Sequence, residues 1–249
     1  MRRMLGYIRK ADQEFDMIAD GDRIAVGISG GKDSLVLLNS LAGYRRFAEH
    51  KFTLVGITLD MRFGGKDTDF TPIAEMCREL DVEYKVIPTD IGEVIFDIRK
   101  ESNPCALCAK MRRGALHDAA VEMGCNKIAL GHHNDDVIET FIMNLHKEGR
   151  IGCFSPVTYL SRKNITMIRP MVLAPEQKII ACANRNNFPV VKSKCPADKT
   201  TQRQVTKEWL SEMERKDKGF KIRMFGALRR SGVDGWGFKN AAGKSEDEE

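Results

Sequence analysis

Six consecutive residues, Ser29-Gly30-Gly31-Lys32-Asp33-Ser34, have the chemistry of a phosphate cradle. Gly30 and Gly31 let backbone N–H groups approach an anion closely. Lys32 adds a point charge, and the hydroxyls of Ser29 and Ser34 add donors. The apolar run Ile24–Ile28 precedes them and reads as a buried strand; Leu35-Val36-Leu37-Leu38 follows at helical spacing. Strand, glycine turn and helix N-terminus bring unpaired N–H groups and a favourable dipole to one point. Asp33 and Ser34 stand where side chains cap a helix. A Walker A loop is excluded, because Lys32 is followed by Asp and no glycine sits at the earlier offset. The dinucleotide pattern G-x-G-x-x-G is absent as well.

A second group of residues carries sulfur. Pro104-Cys105-Ala106-Leu107-Cys108 is a CxxC at the start of a predicted helix, with Arg112 and Arg113 a turn further on. That setting favours the thiolate. A redox pair, a zinc site and an iron–sulfur cluster all use such a pair. The first lacks its fold context, the second lacks another CxxC, and the third can add one distant cysteine. Cys195, in the polar loop Lys192–Pro196, is in a suitable setting. Cys77, Cys125, Cys153 and Cys182 read as small buried residues. Seven cysteines in a chain without an evident signal peptide do not suggest a disulfide framework.

Five strands are predicted to position these groups: Ile24–Ile28, Phe52–Asp60, Glu83–Ile87, Lys127–Gly131 and Thr166–Arg169. Helices are predicted over residues 1–22, after the glycine turn, over Phe70–Leu80, Ala106–Gly124 and Val137–His146, from Pro175, and over Thr201–Lys216. Such alternation means a doubly wound α/β fold around a mostly parallel five-stranded sheet with helical extensions. Ligands bind at the C-terminal edge of such a sheet. That edge carries the glycine turn, Asp60, and the polar cluster Gly131-His132-His133-Asn134-Asp135-Asp136. The organisation expected is a helical extension (1–22), a catalytic domain (23–216) and an irregular tail (217–249) with a disordered acidic end. Trp236 and Phe238 in that tail are expected to pack.

The formal charge is +5, of which the last four residues carry −4, leaving +9 on the rest. Basic clusters recur at Arg2-Arg3, Lys110-Arg112-Arg113, Lys192-Lys194 and Arg229-Arg230. A polyanionic partner such as nucleic acid is a fair expectation from the charge. No apolar run approaches the roughly 20 residues that span a bilayer. A cytoplasmic protein without a membrane partner is expected.

The run Ser29–Ser34 resembles the PP-loop of the ATP-pyrophosphatase superfamily, whose members split ATP between the α and β phosphates to activate a carbonyl oxygen. The remaining motifs follow in order: Cys105–Gly114, Gly131–Thr140, Arg169-Pro170, and Cys195 followed by Gln202-Arg203-Gln204. Together they resemble the tRNA 2-thiocytidine synthetases, iron–sulfur enzymes of tRNA thiolation, from about Arg2 to Phe225. Many members carry a further cysteine where Lys192 stands here, and the zinc-ribbon pairs of the related 2-thiouridine enzymes are absent.

The resemblance implies ATP, Mg²⁺ and a [4Fe–4S] cluster, the last held by Cys105, Cys108 and Cys195 with one iron left open. It implies a tRNA substrate in which the C2 oxygen of a cytidine, position 32 of the anticodon loop, is adenylated and replaced by sulfur. Ser29–Ser34, Asp60, Gly131 and His132 would bind the nucleotide. Lys32 would grip phosphate, Arg112 would stabilise developing charge, and Asp33, Asp135 or Asp136 would hold Mg²⁺ or take a proton. A cysteine desulfurase or other sulfide donor is implied as a partner, and a homodimer is compatible with it. A 2-thiouridine enzyme, a lysidine-type ligase, a non-catalytic RNA-binding protein and a small-molecule sulfurtransferase are the competing functions. The thiol trio argues against the ligase, and the intact loop against the binding protein.

Overall fold

Aliphatic runs without polar alternation need cover on both faces of the sheet. In β1 (Asp22–Gly27), Ile24 and Val26 belong to one buried cluster and Ala25 to another, so the strand is packed from both sides. The computed structural model of the chain describes residues 1–100, 104–192, 194–197 and 202–237. Thr201, Phe238 and the acidic end (246–249) lie outside the described residues.

Beside β1 run β2 (Phe52–Asp60), β3 (Glu83–Pro88), β4 (Lys127–Ala129), β5 (Val157–Leu160) and β6 (Ile165–Ile168). The sheet order is β3-β2-β1-β4-β6-β5. All neighbours are parallel except β5, which pairs antiparallel with β6. The expectation of five strands is thus corrected to six. The added strand is four residues long, and its residues are half-buried or exposed. It owes its place to a hairpin turn in which Asn164 adopts a left-handed φ of 48°, a conformation Asn tolerates.

The helices are α1 (Arg2–Phe15), α2 (Lys32–Tyr44), α3 (Thr71–Glu79), α4 (Ile91–Glu93), α5 (Pro104–Glu122), α6 (Asn134–Lys147), α7 (Glu176–Asn186), α8 (Gln202–Lys216) and α9 (Phe220–Ser231). Helix α1 ends earlier than expected, because Asp16 turns left-handed at φ 49° and Asp12 takes the N–H of Ile18. Its Met4, Ile8 and Ala11 share one core with β1, α2 and α7. On the opposite face, Ala119 and Ala120 of α5 pack with Ala25, Val55 and Ile128.

The expectation of an irregular segment after residue 216 is also corrected: α9 is a regular helix, entered at Gly219 (φ 85°) and left at Gly232 (φ 71°). Trp236 packs, as expected, edge-on between Phe15 and Phe225, and its indole N–H reaches Phe154 O at 3.0 Å. Among the described residues no helix is long and apolar enough to cross a membrane.

Candidate active site

The glycine turn joins β1 to α2. Gly30 sits at φ 82°, and a Cβ there would meet Val191 Cβ at 3.1 Å. Its carbonyl accepts the Val191 N–H at 3.0 Å. The turn is therefore stitched to the loop that leads to Cys195. The two serines lace the turn to itself. Ser34 Oγ donates to Gly31 O at 2.9 Å and accepts the Ser29 N–H at 3.2 Å. Helix α2 is capped by Gly31 without a side-chain bond, so the capping expected of Asp33 and Ser34 is not what they do.

Strand β1 lies between β2 and β4, so the chain leaves β1 toward one side of the sheet and returns on the other. A crevice opens at such a switch point, and the loop after β4 supplies its second wall. A Cβ on Gly131 would sit 3.1 Å from the backbone carbon of Asp33, so the two loops meet closely and a side chain there would press them apart by a few tenths of an ångström. His133 caps α6: its Nδ1 accepts the Asp136 N–H at 3.4 Å, and Asp136 Oδ2 accepts the His133 N–H at 3.0 Å. His133 Nε2 lies 4.0 Å from Asp33 Oδ1.

Charges from five helices close on this crevice. Lys32 Nζ donates to both oxygens of Asp33 at 3.0 Å and to Glu176 Oε1 at 3.1 Å. Burial lowers the Lys32 pKa, but Asp33 and Glu176 outweigh it and raise the net value. Glu176, the first residue of α7, also accepts from Lys207 of α8 at 2.7 Å. Burial pushes its pKa up, and the two lysines overcome this and hold it at about 2. Asp135 Oδ2 accepts the Glu176 N–H at 2.8 Å, while Oδ1 accepts from Lys221 of α9 at 3.0 Å. Arg203 of α8 reaches Asp136 (3.3 Å), Glu139 (3.1 Å) and Thr140 (3.1 Å). Burial, then Asp136, raises the Glu139 pKa despite Arg203. A cleft of about 500 Å³ abuts Lys32 and is lined by Asn184, Asn187, Phe188 and Val190.

His132 and Asp60 have other neighbours. His132 packs on Phe154 (ring centroids 4.9 Å apart), and its buried Nδ1 has no partner among the described residues. Burial, then the charge of Arg169, pushes its pKa down to about 4. Arg169 stacks on the same ring at 4.8 Å and donates to Ser155 O and Thr158 Oγ1. Asp60, at the end of β2, accepts the N–H groups of Arg62 (3.1 Å) and Thr68 (2.9 Å) and so shapes the loop above that strand.

The thiols lie beyond the same sheet edge. Leu116 of α5 would touch a Cβ on Gly27, at the end of β1. At 1.5 Å per residue, Cys108 and Cys105 stand roughly 12 and 16 Å further along the helix. Burial raises the Cys108 pKa; Arg112 opposes it by charge and hydrogen bond, and Cys195 and Cys105 add to it. Low-pKa activation by the helix end and Arg112 is thus corrected for Cys108, where burial wins. Cys105 and Cys195 therefore both stand near Cys108. Val191, bonded to the turn, precedes Cys195 by four residues, at most about 14 Å of chain. Among the described residues no three His, Cys, Asp or Glu side chains are gathered as tightly as a single ion needs. A cubane cluster spreads its thiolates wider than one ion does, and one exposed, two half-buried thiols suit it. The other four cysteines are buried, with Cys77 and Cys153 raised to about 12 by burial.

The structure thus brings Ser29–Ser34, Gly131, Asp135 and Asp136 together and ties the loop of Cys195 to them. Arg112 faces Cys108, while Asp60 and His132 stand at neighbouring strand ends. Glu176, Lys207 and Lys221 also border this crevice, and sequence reasoning missed them. Their partners lie far away in the chain, and nothing local marks them.

The PP-loop domain family profile matches residues 6–212. The tRNA-cytidine(32) 2-sulfurtransferase of Geobacter sulfurreducens is 38% identical over 91% of this chain and 89% of its own. That of Citrifermentans bemidjiense is 40% identical over 86% and 84%. Among solved structures, the U34-tRNA thiolase NcsA of Methanococcus maripaludis with its [4Fe–4S] cluster superposes with a TM-score of 0.74 at 26% identity, covering 89% of this chain and 76% of that one. The chain therefore belongs to the PP-loop family of tRNA-cytidine(32) 2-sulfurtransferases.

Proposed function

We propose that this chain is an ATP-dependent tRNA sulfurtransferase that converts cytidine 32 of the anticodon loop to 2-thiocytidine. The observation that carries the reading is the stitching of the phosphate turn to the thiol loop through Gly30 and Val191, in a chain whose relatives bear this name. Cytosine C2 is a poor electrophile with a poor leaving group. Attack of the C2 oxygen on the α-phosphorus forms an O–P bond and expels pyrophosphate. Sulfur then bonds to C2, and the C2–O bond breaks to release AMP with the former carbonyl oxygen.

Ser29–Ser34 receives the departing pyrophosphate, with Lys32 holding its oxygens as charge develops. Asp33, more exposed than Asp135 and Asp136 and held only by the flexible Lys32 and the distant His133, is the carboxylate best placed to hold Mg²⁺, which would screen the phosphates. Asp135 keeps both oxygens engaged by Glu176 and Lys221, so its part is to fix α7 and α9 to the site. Asp136 and His133 hold the start of α6. Asp60, Gly131 and His132 line the adenosine side. Cys105, Cys108 and Cys195 would hold a [4Fe–4S] cluster, which when bound supplies the incoming sulfur. Arg112, beside Cys108, faces negative charge at that exchange. A sulfide donor such as a cysteine desulfurase and a cytoplasmic setting belong to the same proposal.

Mass spectrometry of tRNA nucleosides from a strain deleted for this gene tests it. Loss of 2-thiocytidine with other thionucleosides retained is expected; unchanged 2-thiocytidine, or loss of a 2-thiouridine instead, contradicts it.

A further inference from the structure

We propose that Glu176 is the positioning residue of Lys32: it fixes the ammonium at the phosphate turn and links that grip to α8 through Lys207. The inference rests on the reading of Ser29–Ser34 as an ATP phosphate cradle. An ammonium has three donors, and Lys32 directs contacts to both Asp33 oxygens and to Glu176 Oε1. A phosphate oxygen arriving at the turn has to displace one of them.

The two carboxylates are not held alike. Asp33 is 34% exposed and Glu176 13%. Glu176 is clamped from the far side by Lys207 at 2.7 Å, and its backbone N–H is bonded to Asp135 at 2.8 Å. It also occupies the first position of α7, where the helix dipole favours a carboxylate. Asp33 therefore yields to phosphate, and Glu176 stays as the fixed anchor. Without that anchor the four-carbon stem of Lys32 regains its rotamers, and the ordering cost moves to ATP binding. The benefit is common to ground state and transition state, so it belongs in KM for ATP rather than in kcat. Because Glu176 is shared with Lys207, the seating of α8 and the grip on ATP use one carboxylate.

The test is a mutant cycle on ATP affinity, measured by equilibrium dialysis with the full chain and no tRNA. Glu176→Gln keeps size and a hydrogen-bond acceptor but removes the charge. It is expected to weaken ATP binding about five- to tenfold, in the range of a partly buried ion pair. On a Lys32→Ala background the same change is expected to shift affinity less than about twofold, since its target is gone. In turnover, KM for ATP rises by a like factor with kcat within about twofold.

Unchanged ATP affinity in Glu176→Gln overturns the inference. So does an equal loss on both backgrounds, which would make Glu176 a pin for α7 and α8 alone. Should Glu176→Gln fail to fold, Lys207→Met carries the same cycle. A two- to threefold loss of affinity that Lys32→Ala abolishes supports the link, and unchanged affinity overturns it. Wild-type protein that does not bind ATP would instead contradict the cradle reading.

Discussion

Around the phosphate turn, hydroxyls, backbone and ion pairs from α2, α6, α7, α8 and α9 close on one another, and both loops meet tightly at Gly131. Around the thiols, Cys105 is exposed and Cys108 and Cys195 are half-buried, at the overhanging end of α5 and in a loop. The first region is shaped by the fold itself, whereas the second presents sulfur to something larger than a side chain. Removing parts of the second should therefore abolish chemistry with little cost to the fold. Changes in the first should disturb nucleotide binding and stability together.

The largest effects fall on the thiols. Cys105→Ala, Cys108→Ala and Cys195→Ala are each expected to remove the visible absorption of anaerobically reconstituted protein and to abolish thiolation, while ATP affinity and the thermal midpoint hold. A variant that lost ATP binding as well would blur the division between the regions. Lys32→Ala is expected to lower pyrophosphate release by about 10²–10³ while the absorption persists, the scale of removing a donor aimed at developing charge. Release at the wild-type rate would remove the turn from the reaction.

Gly131→Ala tests the contact between the two loops. Its Cβ would stand 3.1 Å from the Asp33 carbon, and backbone can give way only by shifting the turn. A loss of about 1–3 kcal/mol, read as a lowered thermal midpoint, should accompany weaker ATP binding. A neutral substitution would mean that the walls move apart freely.

A smaller effect concerns His132. Its imidazole stays neutral down to about 4 in the fold, against 6.5 ordinarily. The unfolded chain binds the proton first as pH drops. His132 therefore withholds nothing from stability above pH 6.5 and makes the fold less stable as pH falls from 6.5 toward 4. The thermal midpoint should decline across that window, and His132→Phe should flatten the decline. An unchanged slope would mean that His132 is solvated. Cys182→Ala, a small buried change on α7, should leave thiolation within about twofold and cost at most about 1 kcal/mol.

The turn was legible because its signals are local: a β-branched run, paired glycines and a helical run fall within fifteen residues. The CxxC and Cys195 were legible as chemistry only through a resemblance, since Cys195 lies 87 positions beyond Cys108. Strand β5 escaped because its four residues, half-buried or exposed, carry no pattern of their own and depend on β6. Helix α9 escaped because Gly219, Gly226 and Gly232 read as a loop, although two of them bound the helix. The Glu176 to Lys207 and Asp135 to Lys221 pairs escaped because charge patterns show i,i+4 partners, not partners brought together by topology.

Central to the account is Cys195, which joins the other two thiols while its loop is bonded to the phosphate turn. The direct measurement is the 2-thiocytidine content of tRNA from cells in which this chain is the sole source of the activity. Wild-type protein should supply the nucleoside and Cys195→Ala none; tRNA fully thiolated by Cys195→Ala would contradict the account.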